Sequence, residues 1–175
     1  MSSSDPKTAL PLAVLDLTIG TAHINALGHL EAGTYVTLFE KAIAPLFSRL
    51  GITDDRLLHT TDDSAILSPF LVEMHVCYIA ELSTGDTVTI SAQLLDVDAK
   101  RARLMLSMTK APKGLSKAHQ AATCELLILN MDTTARKPAN WSTTQTAAWH
   151  KLRDQQSPLA PPPQAGRAIG PLKSP

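Results

Sequence analysis

The stretch NALGHLEAGTYVTLFEKAIAPLFSRL, residues 25–50, is the strongest indication of the fold because it contains an unbroken helical pattern of apolar residues. From Tyr35 to Leu50 the apolar residues recur at the i, i+3, i+4 and i+7 spacing of an α-helix, and Gly51 ends the pattern. Pro45 lies inside it and predicts a kink or a break into two helical pieces. The apolar stripe is too continuous for a surface helix, so we expect other elements to surround it.

Extended segments flank this helix on both sides. An apolar run at residues 10–19 predicts a first strand. After a polar loop, four more segments rich in Val, Ile, Leu and Thr follow, separated by short turns: residues 65–82, 87–97, 102–110 and 118–131. This order predicts an α+β domain in which a long antiparallel sheet wraps around a central helix.

The composition excludes several classes of partner. Sixteen basic and sixteen acidic side chains cancel, and no Lys/Arg cluster stands out, so we expect no nucleic-acid or membrane-surface binding. No apolar run reaches the length of a membrane span, and no basic region precedes the short apolar stretch near the N-terminus. Cys77 and Cys124 lie far apart, with no CxxC and no metal-ligand spacing. We therefore expect a reduced, cytoplasmic location, no cofactor and no metal.

The end of the chain changes in composition. We place one domain at residues 1–140 and a short helical extension at residues 141–156, with the helix itself predicted over 144–153. Residues 157–175 are rich in Pro and Gly and contain few large apolar side chains, which predicts a disordered tail.

Three motifs in order carry a family resemblance. They are NALGHLE at residues 25–31, YVTLFEKA at 35–42, and VEMHVCYIAELSTGDTV at 72–88, whose Glu73, Tyr78 and Gly85-Asp86 turn match the family pattern. The chain resembles the hotdog-fold acyl-CoA thioesterases of the 4-hydroxybenzoyl-CoA thioesterase type over residues 12–131. The resemblance implies a hotdog fold, hydrolysis of an acyl-CoA substrate, and a homodimer or dimer of dimers whose second subunit completes the groove.

The resemblance gives the loop before the helix a function. Free N–H groups of a helix's first turn can stabilise the negative charge that develops on a thioester carbonyl. The bend at Gly28 and the small residues Ala32 and Gly33 let a substrate approach the backbone, and Glu31 is a candidate contact or alternative base. His29 is a candidate for orienting substrate or moving a proton.

One position departs from the family pattern. Asn25 stands where many relatives have an aspartate, and an amide is neither a general base nor a useful nucleophile. In a second lineage of the fold, a loop amide works with an acidic residue further along the helix, and the matching position is Glu40. We expect Asn25 to position water or the thioester and a half-buried Glu40 to act as base or nucleophile.

Two other functions stay open. The missing aspartate also fits a non-catalytic protein that binds acyl-CoA. A dehydratase or hydratase of the same fold is a weaker alternative, because the Asp-x4-His spacing of such enzymes is absent around Asn25. The acyl group is not determined by the sequence.

Overall fold

The computed structural model describes residues 9–52, 67–112 and 118–170. Its strands and helices follow the order that the sequence predicts. The strands are β1 (Leu12–Thr18), β2 (Leu67–Tyr78), β3 (Thr87–Val97), β4 (Arg101–Lys110), β5 (His119–Asp132) and β6 (Lys137–Pro138). The helices are α1 (Ala32–Lys41), α2 (Ile43–Arg49) and α3 (Thr143–Gln156), and a 3-10 turn spans Thr21–His23.

The strands form one antiparallel sheet with the order β1-β3-β4-β5-β2, and β6 adds a short pair to β5. The central strands β3, β4 and β5 are joined as a meander, whereas β2 and β1 lie at the two edges. Helices α1 and α2 cover the inner face of this sheet, where Phe39, Ala42 and Leu46 are fully buried. The predicted α+β architecture, a sheet around a helix, is therefore confirmed.

The predicted interruption of the long helix is also confirmed. Helix α1 ends at Lys41 and α2 begins at Ile43. Pro45 lies in the first turn of α2, where a backbone N–H has no intrahelical acceptor, so its missing donor costs no helical hydrogen bond. The break keeps Phe39 and Leu46 on the same buried side.

Helix α3 is longer than predicted and belongs to the core. A capping box starts it, with the Ser142 hydroxyl accepting from the Gln145 N–H and the Gln145 side chain accepting from the Ser142 N–H. Trp149 is 0% exposed and meets the Phe47 ring edge-on at 6.0 Å. Trp141 packs against Trp149 at 5.6 Å. The segment after residue 140 thus extends the core that α2 begins.

The last residue of α3 completes an edge of the sheet. Strand β1 pairs with β3 as far as Ala92. Beyond that point the buried Gln156 side chain accepts from the Leu94 N–H at 2.8 Å and donates to the Ala92 C=O at 2.9 Å. A side-chain amide therefore supplies the backbone groups of β3 with the partners that a neighbouring strand would supply.

The segment after α3 differs from the expected disordered tail. Residues 157–170 lie among the described residues, and 171–175 lie outside them. The Ala160 C=O accepts from the Gln93 side chain at 3.1 Å, and the Gly166 N–H donates to the Glu125 carboxylate at 2.6 Å. Met105 lies between Gln93 and Glu125 in the strand register and is 1% exposed. The amino-acid composition of the segment does not reveal this order, because the segment is held by polar side chains of strands that are distant in sequence.

The described part of the chain has no helix with the length and apolar character needed to cross a membrane.

Candidate functional site

The loop before α1 is folded around the Asn25 side chain. Its Oδ1 atom accepts from the Leu27 N–H at 2.9 Å and from the His29 N–H at 3.1 Å. The Asn25 N–H donates to the His29 C=O at 2.9 Å, and Gly28 adopts a positive φ of 83° within this turn. Asn25 therefore fixes the loop conformation, and Gly28 takes the one position in it that an L side chain rarely adopts.

The same loop is tied to the segment that follows β2. The Leu30 N–H donates to the Leu82 C=O at 2.7 Å. The buried Tyr35 hydroxyl accepts from the Leu82 N–H at 3.1 Å and donates to the Ala80 C=O at 3.4 Å. Burial raises the pKa of Tyr35 above its ordinary value of 10.0, so this phenol keeps its proton, and with it a hydrogen-bond donor, at neutral pH and into the alkaline range.

A cavity of about 390 Å³ opens where these two segments meet. The Tyr78 hydroxyl donates to the Ala32 C=O at 3.2 Å, and the Tyr35 and Tyr78 rings pack edge-on at 5.4 Å. The cavity brings together the predicted residues Asn25, His29 and Ala32, and the residues that line it are Asn25, His29, Leu30, Ala32, Tyr35, Tyr78, Ile79, Ala80 and Glu81.

The first turn of α1 opens beside this cavity. Glu31 precedes the helix in an extended conformation, and its side chain makes no capping hydrogen bond to the first turn. The N–H groups of Ala32 and Gly33 have no intrahelical acceptor, as in any helix N-terminus. A Cβ built on Gly33 would have nothing within 4 Å, so the space over this turn is open. Gly28, Glu31 and Gly33 border the site without lining the cavity.

Sequence reasoning missed Glu81, which faces His29 across the cavity mouth. The His29 Nε2 and Glu81 Oε2 atoms are 3.1 Å apart, and the two side chains are 37% and 72% exposed. The available signal was the Glu81 carboxylate in the apolar run YIAEL at 78–82, three residues after β2 ends. Only the pairing of two distant loops shows that it meets His29.

The expectation for Glu40 needs a correction. The sequence placed it half-buried at the border of the apolar stripe, but its side chain is exposed. It lies near the C-terminal end of α1, roughly 12 Å along the helix axis from Ala32. The face of α1 that carries Tyr35 and Phe39 is buried, and Glu40 lies on the solvent side of it. Within one chain, Glu40 therefore does not line the cavity that contains Asn25.

The cysteines offer no nucleophile to this cavity. Cys124 is buried in the core, and burial raises the pKa of its thiol to about 12. A thiol with such a pKa is protonated at neutral pH and is a poor nucleophile. Cys77 is half-buried on β2 and does not line the cavity.

Comparisons with known proteins identify the family and the fold. The family model described as Thioesterase-like superfamily matches residues 19–149. An L-carnitine dehydrogenase/betainyl-CoA thioesterase of Rhizobium meliloti is 27% identical over 165 residues, which are 91% of this chain and 30% of that protein. The chain thus spans less than a third of that relative's length.

Two solved structures are similar over nearly the whole chain. A hypothetical protein from Staphylococcus aureus, solved in complex with CoA, superposes with a TM-score of 0.82 at 20% identity, covering 97% of this chain and 100% of that one. A candidate thioesterase of Pseudomonas putida KT2440 gives a TM-score of 0.75 at 25% identity, covering 94% and 99%. These likenesses confirm the predicted hotdog fold.

Proposed function

The chain belongs to the thioesterase-like superfamily, and from that premise we propose that it hydrolyses acyl-CoA thioesters at the cavity beside α1. The observation that carries the proposal is the open first turn of α1 at a cavity lined by Asn25, His29 and Tyr78. A helix N-terminus favours negative charge, and this one is not capped by its own Glu31.

In this proposal the N–H groups of Ala32 and Gly33 hold the thioester carbonyl oxygen. Water attacks the carbonyl carbon, the oxygen becomes negatively charged, and donors that are already oriented stabilise that charge. When the intermediate collapses, the C–S bond breaks and the products are a carboxylic acid and free CoA. Asn25 supports the reaction by holding the loop that presents His29.

The residues that line the cavity narrow the range of candidate acyl groups. The Tyr78 ring and the Glu81 carboxylate lie in it, and both attract cations. The Rhizobium meliloti relative is named for a betainyl-CoA thioesterase activity. A cationic acyl group is therefore a second, narrower candidate substrate beside uncharged acyl chains.

The first experiment is thiol release from a panel of acyl-CoAs that includes short, long, aromatic and cationic acyl groups. We expect the wild-type protein to release free CoA from at least one of them. A protein that binds the panel but releases no thiol would be a non-catalytic binding protein, the alternative that Asn25 leaves open.

The variant Glu40→Ala belongs in the same assay. Glu40 lies outside the cavity of its own chain, so it acts as base or nucleophile only where a second copy brings it to the site. Lost hydrolysis with an unchanged circular dichroism spectrum would assign it that role. Retained hydrolysis would leave the base among the groups that line the cavity, as inferred below.

We also propose that the chain forms a homodimer through strand β2. This strand pairs with β5 alone among the described strands, so its other edge carries unpaired backbone groups. Large apolar side chains are exposed on β2 and directly after it: Phe70, Leu71, Val72, Tyr78 and Ile79. A second copy paired along this edge would bury them and close the cavity, which lies at the end of β2.

The variant Val72→Glu tests this interface. Val72 is 50% exposed, and a buried carboxylate opposite its own copy would oppose pairing. By light scattering after size exclusion, we expect twice the mass of one chain for wild type and the mass of one chain for Val72→Glu. Leu10→Glu is the matched control, because Leu10 is 72% exposed and lies just before β1, at the opposite edge of the sheet from β2. A monomeric wild type, or a dimeric Val72→Glu, would contradict the proposal.

A further inference from the structure

We infer that Glu81 is a positioning residue that makes His29 the general base of the cavity, an inference that rests on the proposed thioesterase function. The Asn25 amide cannot accept a proton from water, so a thioesterase built on this chain needs another base. The His29 Nε2 and Glu81 Oε2 atoms lie 3.1 Å apart at this cavity, which is hydrogen-bond distance between an imidazole and a carboxylate.

The two loops hold these side chains against each other. On one side, the His29 N–H is bonded to the Asn25 side chain, and the His29 C=O accepts from the Asn25 N–H. On the other side, Leu82, the residue after Glu81, accepts from the Leu30 N–H and donates to the Tyr35 hydroxyl. The residues next to His29 and Glu81 in sequence are thus directly hydrogen bonded to each other.

Stability does not explain the pair. With side chains 37% and 72% exposed, solvent screens their attraction, and such surface pairs contribute about 0–1 kcal/mol to folding. The loops are already joined by the backbone bond between Leu30 and Leu82. The pair therefore adds orientation of the imidazole more than it adds stability.

The geometry determines the tautomer of His29. A carboxylate only accepts hydrogen bonds, so the neutral imidazole donates its Nε2–H to Glu81 and keeps a lone pair on Nδ1. Nδ1 then takes a proton from the attacking water while the water oxygen bonds to the carbonyl carbon. The tetrahedral intermediate reforms its carbonyl, the C–S bond breaks, and the Nδ1 proton passes to the departing thiolate. Glu81 keeps its charge and stabilises the imidazolium between these steps.

The test compares two variants with two matched controls. His29→Gln removes the proposed base, and Glu81→Gln keeps the size and shape of the Glu81 side chain while removing its negative charge. His150→Gln and Asp154→Asn exchange an imidazole and a carboxylate for an amide on exposed residues of α3, outside this cavity. The measurement is kcat and KM on the best acyl-CoA of the panel.

We expect kcat to fall by about 10²–10⁴-fold in His29→Gln, with KM little changed. For Glu81→Gln we expect a loss between about 10-fold and 10⁴-fold, the upper figure being the known loss when a serine protease aspartate becomes its amide. Both controls should keep the wild-type kcat. Added imidazole should restore part of the activity of His29→Ala, which no structural role of His29 would predict.

A second readout does not depend on turnover. Long-range ¹⁵N NMR of the imidazole should show the Nε2–H tautomer for neutral His29 in wild type and a mixture of tautomers in Glu81→Gln. Two results would overturn the roles of His29 and Glu81 and leave the thioesterase proposal standing. One is an active wild type whose kcat is unchanged in His29→Gln and Glu81→Gln, and the other is a wild-type His29 in the Nδ1–H form. A wild type that hydrolyses no acyl-CoA would overturn the proposed function, and the general-base role of His29 with it.

Discussion

Replacing Ala32 by proline should lower kcat for thioester hydrolysis by about 10²–10³-fold while the protein stays folded, because it removes one N–H donor from the helix N-terminus. Ala32 is the first residue of α1, and its N–H has no intrahelical acceptor that the fold needs. Thioester binding before reaction should change less than kcat, because the donor matters most when the oxygen carries full negative charge.

The local backbone is suited to this proline. The preceding residue, Glu31, has φ −62° and ψ 140°, the conformation that a residue before proline prefers. Proline is also common at the first position of a helix. The Ala32 C=O, which accepts from the Tyr78 hydroxyl, is kept.

Ala32→Ser is the control, since it changes the side chain and keeps the N–H. Melting temperatures of both variants should stay near that of wild type, and only Ala32→Pro should lose kcat. Full activity in a folded Ala32→Pro would show that the carbonyl is held elsewhere.

Replacing Trp149 by alanine should lower the free energy of unfolding by about 3–5 kcal/mol. Trp149 is 0% exposed and joins the Phe47 ring of α2 to the Trp141 ring that precedes α3. Alanine would leave a cavity between helices α2 and α3 that the surrounding side chains fill only in part. Urea denaturation at fixed protein concentration measures the loss, the fixed concentration being needed if the chain dimerises.

Two further variants identify the cause. Trp149→Phe should lower the free energy of unfolding by less than Trp149→Ala does. It keeps an aromatic ring, and the indole N–H that it removes has no partner among the described residues. His150→Ala, on the exposed side of the same helix, should stay near wild type. A Trp149→Ala protein as stable as His150→Ala would contradict the role of α3 in the core.

The helix and the strands of this domain could be predicted from the sequence because their signals are local. The spacing of apolar residues around Phe39 and Leu46 specifies which helix face is buried, and Pro45 marks the break between α1 and α2. Strand β3 was predicted with the bounds that it has, Thr87–Val97. The loop at Asn25 and the small residues that open α1 were likewise visible as a motif.

Helix α3 and the segment after it were harder to interpret, because their partners lie elsewhere in the chain. Two of the four buried residues of α3 are Gln145 and Gln156, so its core-facing side carries little apolar signal. The segment at 157–170 is held by Gln93 and Glu125, whose positions in sequence say nothing about a tail.

The fold class, the central helix and the loop motif at which we propose that a thioester carbonyl is held could all be read from the sequence alone. Which charged residues reach that loop depends on the tertiary fold, which brings Glu81 within 3.1 Å of His29 and leaves Glu40 exposed outside the cavity. The physical reason is that periodicity is a property of neighbouring residues, whereas a site depends on contacts between segments far apart in the chain. Here the bond between Leu30 and Leu82 makes that contact, and no local pattern encodes it.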